Sequence, residues 1–314
     1  MSNFNRGRRA RGTSAKLPSY VYVPVAGFAG TFLYMYWYFQ DEAPFTRRKR
    51  LLATSLEWER KLGDKEYHNL LQLHKREILP PSHRAAITVN RVGSRVAKAA
   101  NDFALKQNAR EDTGDDYTYT VVRSDDANAF VLPNNHVFVL SGLFKYVRDE
   151  DELAAVLGHE IAHNLARHAG ERMSSNVLIG ILARCTLLID PSGILYSIFV
   201  PASKMMYDLP HSRDQEIEAD YIGLYLASDA CYNPNAAKKV FALMKDDTDR
   251  MPPEFMSTHP SYDSRLSNFD KWIPEVLGKH NSDDRQKCLL IREEMKVARQ
   301  RAALNAARRE HNYR

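Results

Sequence analysis

Residues 152–170, ELAAVLGHEIAHNLARHAG, read as one helix with a marked beginning and end. The acids at 149–152 can cap and charge-match its start, and Gly170 is a good C-terminal stop. The helix carries three histidines and a glutamate. At 100° per residue, His159 and His163 point about 40° apart and can share one metal ion. Glu160 lies next to that face, beside the metal's open position, where it can take a proton without being a ligand. His168 falls roughly 180° around from His159, so on a straight helix it is a surface or packing residue on the far side. A third histidine reached through a glycine is excluded, because that pattern needs Gly at 166 and His at 169, where this chain has Ala166 and Ala169. The fold must therefore bring the third ligand from elsewhere.

HSRDQEIEADYIGLYLAS, starting at His211, can supply it. Glu216 and Asp220 are four apart on one face of a second helix, while Glu218 points about 200° away from Glu216. Two acids at this spacing are ordinarily a solvated helix face. Here they precede an apolar run in a chain that also holds HExxH, which favours Glu216 as third ligand and Asp220 as the group that orients a ligand histidine. Two histidines and one glutamate leave the fourth position of a zinc site for water.

The rest of the chain divides by charge and pattern. Residues 1–16 form a basic, acid-free arm resembling an organelle transit segment. Residues 17–40 hold no charged side chain and end in Tyr34, Tyr36, Trp37, Tyr38 and Phe39, as a single transmembrane anchor would. The body, 41–284, is net −6, and the tail, 285–314, is a basic helix of net +6. Net positive charge confined to the ends argues against nucleic acid as a partner and for targeting or lipid headgroups.

From about Thr46 to Ala109 the text is helical apart from the break at Pro80 and Pro81. YTYTVVRS and AFVLPNNHVFVLSGL then read as strands, the latter a pair across a Pro-Asn-Asn turn. Residues 176–207 are apolar but interrupted, which favours a helical hairpin buried in the protein over one touching lipid. Cys185, Cys231 and Cys288 are isolated and read first as buried small residues; Cys231 and Cys288 could also form a redox-sensitive pair in an oxidising compartment. The expected fold is α+β, predominantly helical, with a small β-sheet.

HEIAH, the ExxAD pattern at 216–220 and Ser-Thr-His-Pro at 257–260 resemble the zinc metallopeptidase family that contains the CAAX prenyl protease and the bacterial HtpX protease. EILPP at 77–81, NAFVLP at 128–133 and PHSRxxExEADYIGL at 210–224 are similar to its OMA-type branch, over about residues 75–272. The resemblance implies a zincin (gluzincin) domain at 41–284 with one Zn2+ per chain, held at the mitochondrial inner membrane and facing the intermembrane space. It implies membrane-tethered protein substrates in stress response and quality control, and leaves homo-oligomerisation open. It also places His259 and Arg265 near the substrate carbonyl, and Asn128, Ala129 and Phe130 on an edge strand that pairs with extended substrate. The expected mechanism is attack by a zinc-activated water with Glu160 as base. The competing reading is a catalytically silent zinc-binding membrane scaffold or chaperone-like protein.

Overall fold

The computed structural model describes residues 27, 30, 33–43, 45–106, 116–247, 255, 258–259, 263–279 and 282–312. The basic arm, most of the 17–40 run, and Ser257 and Pro260 lie outside them. Among the described residues, no helix is long and apolar enough to cross a membrane.

After a short helix at 33–38 the chain forms an antiparallel hairpin, β1 (Gln40–Glu42) and β2 (Lys49–Leu51). The helical reading from Thr46 therefore starts too early. Alternation over three residues is too short a signal for a strand, and the first long helix, α1 (Leu56–Leu73), begins where Ser55 caps it by accepting from the Trp58 amide at 3.2 Å. The prolines at 80 and 81 separate α1 from α2 (Arg84–Lys106) as expected.

β3 (Thr118–Val122), β4 (Ala129–Val131) and β5 (His136–Leu140) form one sheet in the order β3-β5-β4. The Pro-Asn-Asn turn closes the β4–β5 hairpin, with Asn135 in the left-handed region and Phe130 opposite Phe138. β3 runs parallel to β5, so β4 is left at the sheet's edge.

Among the described residues, six long helices follow: α3 (Glu150–Leu165), α4 (His168–Ile189), α5 (Ile194–Asp229), α6 (Asn235–Asp247), α7 (Asp263–Lys279) and α8 (Ser282–Asn312). Asp149 caps α3, its side chain accepting from the Glu152 amide at 2.8 Å, while Glu152 reaches back to the Arg148 amide at 2.6 Å. Nearly every residue of α3 is buried, so this helix is the centre of the domain rather than an amphipathic cover. Val92 and Val96 of α2, Leu157 and Ile161 of α3, Val137 and Val139 of β5, and Ile222 and Leu226 of α5 pack in one core around it.

Three further expectations need correction. The helix carrying HExxH does not end at Gly170: it stops at Leu165, Arg167 takes a left-handed conformation (φ 57°), and α4 starts at His168. Arg50 caps the break by donating to the Ala166 carbonyl, and Arg167 is held by Glu59 (2.6 Å) and the Thr54 carbonyl (2.8 Å). Residues 194–229 form one continuous helix through Pro201 and Pro210. The α4–α5 tip is not buried, for Leu188 is 84% exposed, with Val177, Ile194 and Ile198 also exposed. Cys231 and Cys288, the pair the sequence suggested, are joined in a disulfide that staples α8 to the segment just after α5.

Candidate metal centre

Helices α3 and α5 can place their donors close together because they cross at glycine. A Cβ on Gly223 would meet the His159 amide nitrogen at 2.9 Å, and one on Gly158 would meet the Gly223 carbonyl oxygen at 2.9 Å. With no side chain between the backbones, His159 and His163 of α3 reach Glu216 of α5 directly.

His159 Nε2 lies 3.1 Å from His163 Nε2 and 3.3 Å from Glu216 Oε2; His163 Nε2 lies 3.4 Å from Glu216 Oε1. His259 completes the group, its Nδ1 being 3.0 Å from Glu216 Oε1 and 3.3 Å from His159 Nε2. One ligand atom from each of the four falls within 4.8 Å of the others, and all four residues are buried. Glu160 Oε1 and Glu216 Oε2 are buried without an aligned hydrogen-bond partner, although His159 and Arg265 approach Glu216 Oε2 at 3.3 Å. Buried carboxylate oxygens and imidazole nitrogens that converge in this way are a donor set suited to a divalent cation.

The electrostatics agree with that use. Burial opposes charge on Glu216, yet His259 and His163 hold its carboxyl well below the usual range. Burial pushes His163 far below its ordinary value. Burial also disfavours charge on His159, but Asp220 and Glu216 outweigh it and hold that ring up to about 9, so a metal there displaces a proton. Glu160 is raised, chiefly by burial.

Profile comparison matches peptidase family M48 over residues 87–273. The chain belongs to peptidase family M48. Among curated proteins it is similar to the mitochondrial metalloendopeptidase OMA1 of Schizosaccharomyces pombe, 34% identical over 247 residues that cover 78% of this chain and 69% of that one. The Saccharomyces cerevisiae OMA1 is 33% identical, covering 79% and 73%, and the human OMA1 is 30% identical, covering 82% and 50%. It is thus an OMA-type gluzincin and a metalloendopeptidase, of a zinc-dependent family, and its buried His-His-Glu-His group could hold one ion.

In this M48 peptidase the remaining candidate residues fall close to the donors. Asp220 Oδ1 is 3.0 Å from His159 Nδ1, an ion-pair approach in which the ring N–H is not aligned on the oxygen. Arg265 is 1% exposed and grips Asp220 with two contacts of 2.7 Å, reaching also Glu216 (3.3 Å) and the His259 carbonyl (3.2 Å). Its described polar contacts are therefore with Asp220, Glu216 and the His259 main chain. His259 sits inside the donor group, its Nε2 3.4 Å from Glu160 Oε1. Asn128, Ala129 and Phe130 lie at the start of the edge strand β4; the Asn128 carbonyl pairs with Leu140, and the Ala127 carbonyl with the Phe255 amide.

His168 is not on the far side. The break at Arg167 turns it back, and its Nδ1 lies 2.8 Å from His163 Nδ1 with the residue fully buried. Glu218, which points away from the metal group, receives the other side of that ring: its Oε2 is 3.2 Å from His168 Nε2. Thr46 donates to Glu218 at 2.6 Å, and Arg48 bridges Glu218 (3.0 Å) and Glu171 (2.7 Å). Sequence reasoning missed this layer. Its one visible sign is that His168, Glu171 and Glu218 fall near the two motifs, in a chain whose body is otherwise free to put such groups in water.

Proposed function

We propose that this chain is a membrane-anchored mitochondrial endopeptidase that holds one zinc ion on His159, His163 and Glu216. The observation that supports this reading is the convergence of two helices on one buried donor set, with Glu160 Oε1 buried beside it and no hydrogen bond aligned on it. Zinc bound there would acidify a water molecule and polarise the scissile carbonyl.

The chain's own residues supply the rest. Glu160, whose carboxyl burial raises above its ordinary value, takes the proton of the attacking water and delivers it to the leaving amine. His259, beside Glu160, donates toward the oxygen that gains charge in the tetrahedral species. Arg265 acts through Asp220 and Glu216, holding both carboxylates in register. Asn128, Ala129 and Phe130 offer an edge on which an extended substrate pairs by main-chain hydrogen bonds.

The named relatives are mitochondrial metalloendopeptidases, which supports a mitochondrial location, with cleavage of inner-membrane or intermembrane-space proteins during stress as the working role. The apolar, charge-free run at 17–40 supports a single anchor, with the peptidase domain facing the intermembrane space. The exposed tip of α4 and α5 supports a second lipid contact. Its base adjoins the end of the anchor, since the Phe39 carbonyl accepts from Leu52 (2.9 Å) and the next amide, Ala53, donates to Ser174 of α4 (2.8 Å). A silent scaffold has no use for the base at Glu160 and is not favoured.

The test is Glu160→Gln in the full chain, assayed for zinc content and for cleavage of protein substrates in mitochondria. Retained zinc with cleavage abolished is expected; cleavage at the wild-type rate would refute the reading.

A further inference from the structure

The layer behind His163 is a connected chain of buried polar groups, and its chemistry allows one arrangement of hydrogens. Glu218 is held between Thr46 and Arg48, one donating hydroxyl and one guanidinium, and an ionised carboxylate can only accept. The ring nitrogen facing it, His168 Nε2, must therefore carry the hydrogen. A neutral imidazole has one donor and one acceptor nitrogen, so His168 Nδ1 is then an acceptor. The atom facing that acceptor, at 2.8 Å, is His163 Nδ1, which must be the donor. His163 Nε2 is left with its lone pair free, and this is the nitrogen that points into the donor group, 3.1 Å from His159 Nε2 and 3.4 Å from Glu216 Oε1. The opposite assignment would set a bare nitrogen against the Glu218 carboxylate and a hydrogen in the place of the metal.

We propose that His168 is a positioning residue for the metal ligand His163, with Glu218 selecting the tautomer of both rings from the far end. Asp220 supports His159 directly; for His163 the carboxylate acts through an intervening imidazole. The two ligand histidines are thus oriented by different devices. Direct support would need a carboxylate at the His163 ring edge, where the start of α4 already occupies the space. The inference rests on the proposed zinc site at His159, His163 and Glu216.

The experiment uses the full-length protein, stripped of metal and titrated with zinc against a chromogenic chelator, with Co2+ spectra as a report on ligand geometry and melting of the metal-free form as a control for folding. His168→Leu keeps bulk and removes both hydrogen bonds; His168→Gln keeps an acceptor for His163 and a donor for Glu218. Outer-shell partners of ligating histidines are typically worth ten- to a hundred-fold in affinity. His168→Leu is expected to bind zinc about ten- to a hundred-fold more weakly with a changed Co2+ spectrum, and His168→Gln to recover most of that loss. Zinc binding by His168→Leu within twofold of wild type, or equal weakness in the Leu and Gln variants, overturns the proposal. If the Leu variant does not fold, Glu218→Leu replaces it, with the same loss expected and unchanged affinity counting against the relay. His163→Ala separates the two levels: if it binds zinc as wild type does, the metal site itself is misassigned, whereas loss in His163→Ala beside normal binding in His168→Leu refutes the relay alone.

Discussion

Gly158 of α3 and Gly223 of α5 touch backbone to backbone, each occupying the space that a Cβ on the other would need. The approach sets the distance between the helix that carries His159 and the helix that carries Glu216. A methyl group on Gly223 would meet the His159 amide nitrogen, which is main chain and cannot swing aside. Gly223→Ala is expected to destabilise the fold by about 1–3 kcal/mol, the usual cost of overpacking, and to weaken zinc binding in the same variant. Thermal melting with and without zinc measures both, and an unchanged melting temperature would contradict the crossing geometry.

The Cys231–Cys288 bond closes a loop of 57 residues that contains α6 and α7. Tying the unfolded chain over that span is worth about 4 kcal/mol on loop-closure grounds. Cys288→Ser, compared in denaturant titrations with Cys185→Ser, should lose a sizeable part of that stability, whereas the Cys185 variant should stay near wild type. Equal midpoints for the two variants would show that the bond contributes nothing.

His136 gives stability a pH dependence of defined sign. Burial lowers its ring from 6.5 to about 4, with Thr118 on one nitrogen and Thr120 on the other at 2.9 Å. The folded state keeps it neutral while the unfolded chain protonates it below about 6.5. Its contribution is thus complete above that pH and is lost as pH falls through the window from 6.5 to 4. The part due to this ring is on the order of 3 kcal/mol. His136→Gln should flatten the decline of melting temperature between pH 7 and pH 4; a decline as steep as wild type would assign the effect to other groups.

The α4–α5 tip, with Leu188 fully presented, should lie in lipid when the protein is on a membrane. A nitroxide label at position 188 is expected to collide with oxygen more than with a water-soluble nickel complex in vesicles. The reverse preference would place the tip in water, whatever the anchor does.

How legible these features were in the sequence depended on how local their causes are. The spacing of His159, Glu160 and His163, and of Glu216 and Asp220, follows from helix geometry alone, so both groups could be placed on their helices and brought toward one ion. The strands β3, β4 and β5 announced themselves by alternation and by a turn whose Asn135 tolerates a positive φ. The break at Arg167 had no such sign, because ALA-ARG-HIS contains no glycine or proline. Its causes are Arg50, Thr54 and Glu59, more than a hundred residues away in sequence. Missing the break turned His168 around by half a helix and hid Glu218 with it. The Cys231–Cys288 pair was readable only as an option beside buried thiols, since three cysteines without a spacing rule do not fix a pairing until α8 folds back.

The two residues that brace Glu218, Thr46 and Arg48, sit on the β1–β2 hairpin, ahead of the segment 87–273 over which the family profile matches. That segment holds every donor atom of the centre, but not the two residues that brace Glu218. A fragment cut at its margins would keep the ligands and lose the clamp on the carboxylate behind them. The contacts that brace the centre therefore reach back into the forties of the sequence, within a few residues of the stretch read as its tether.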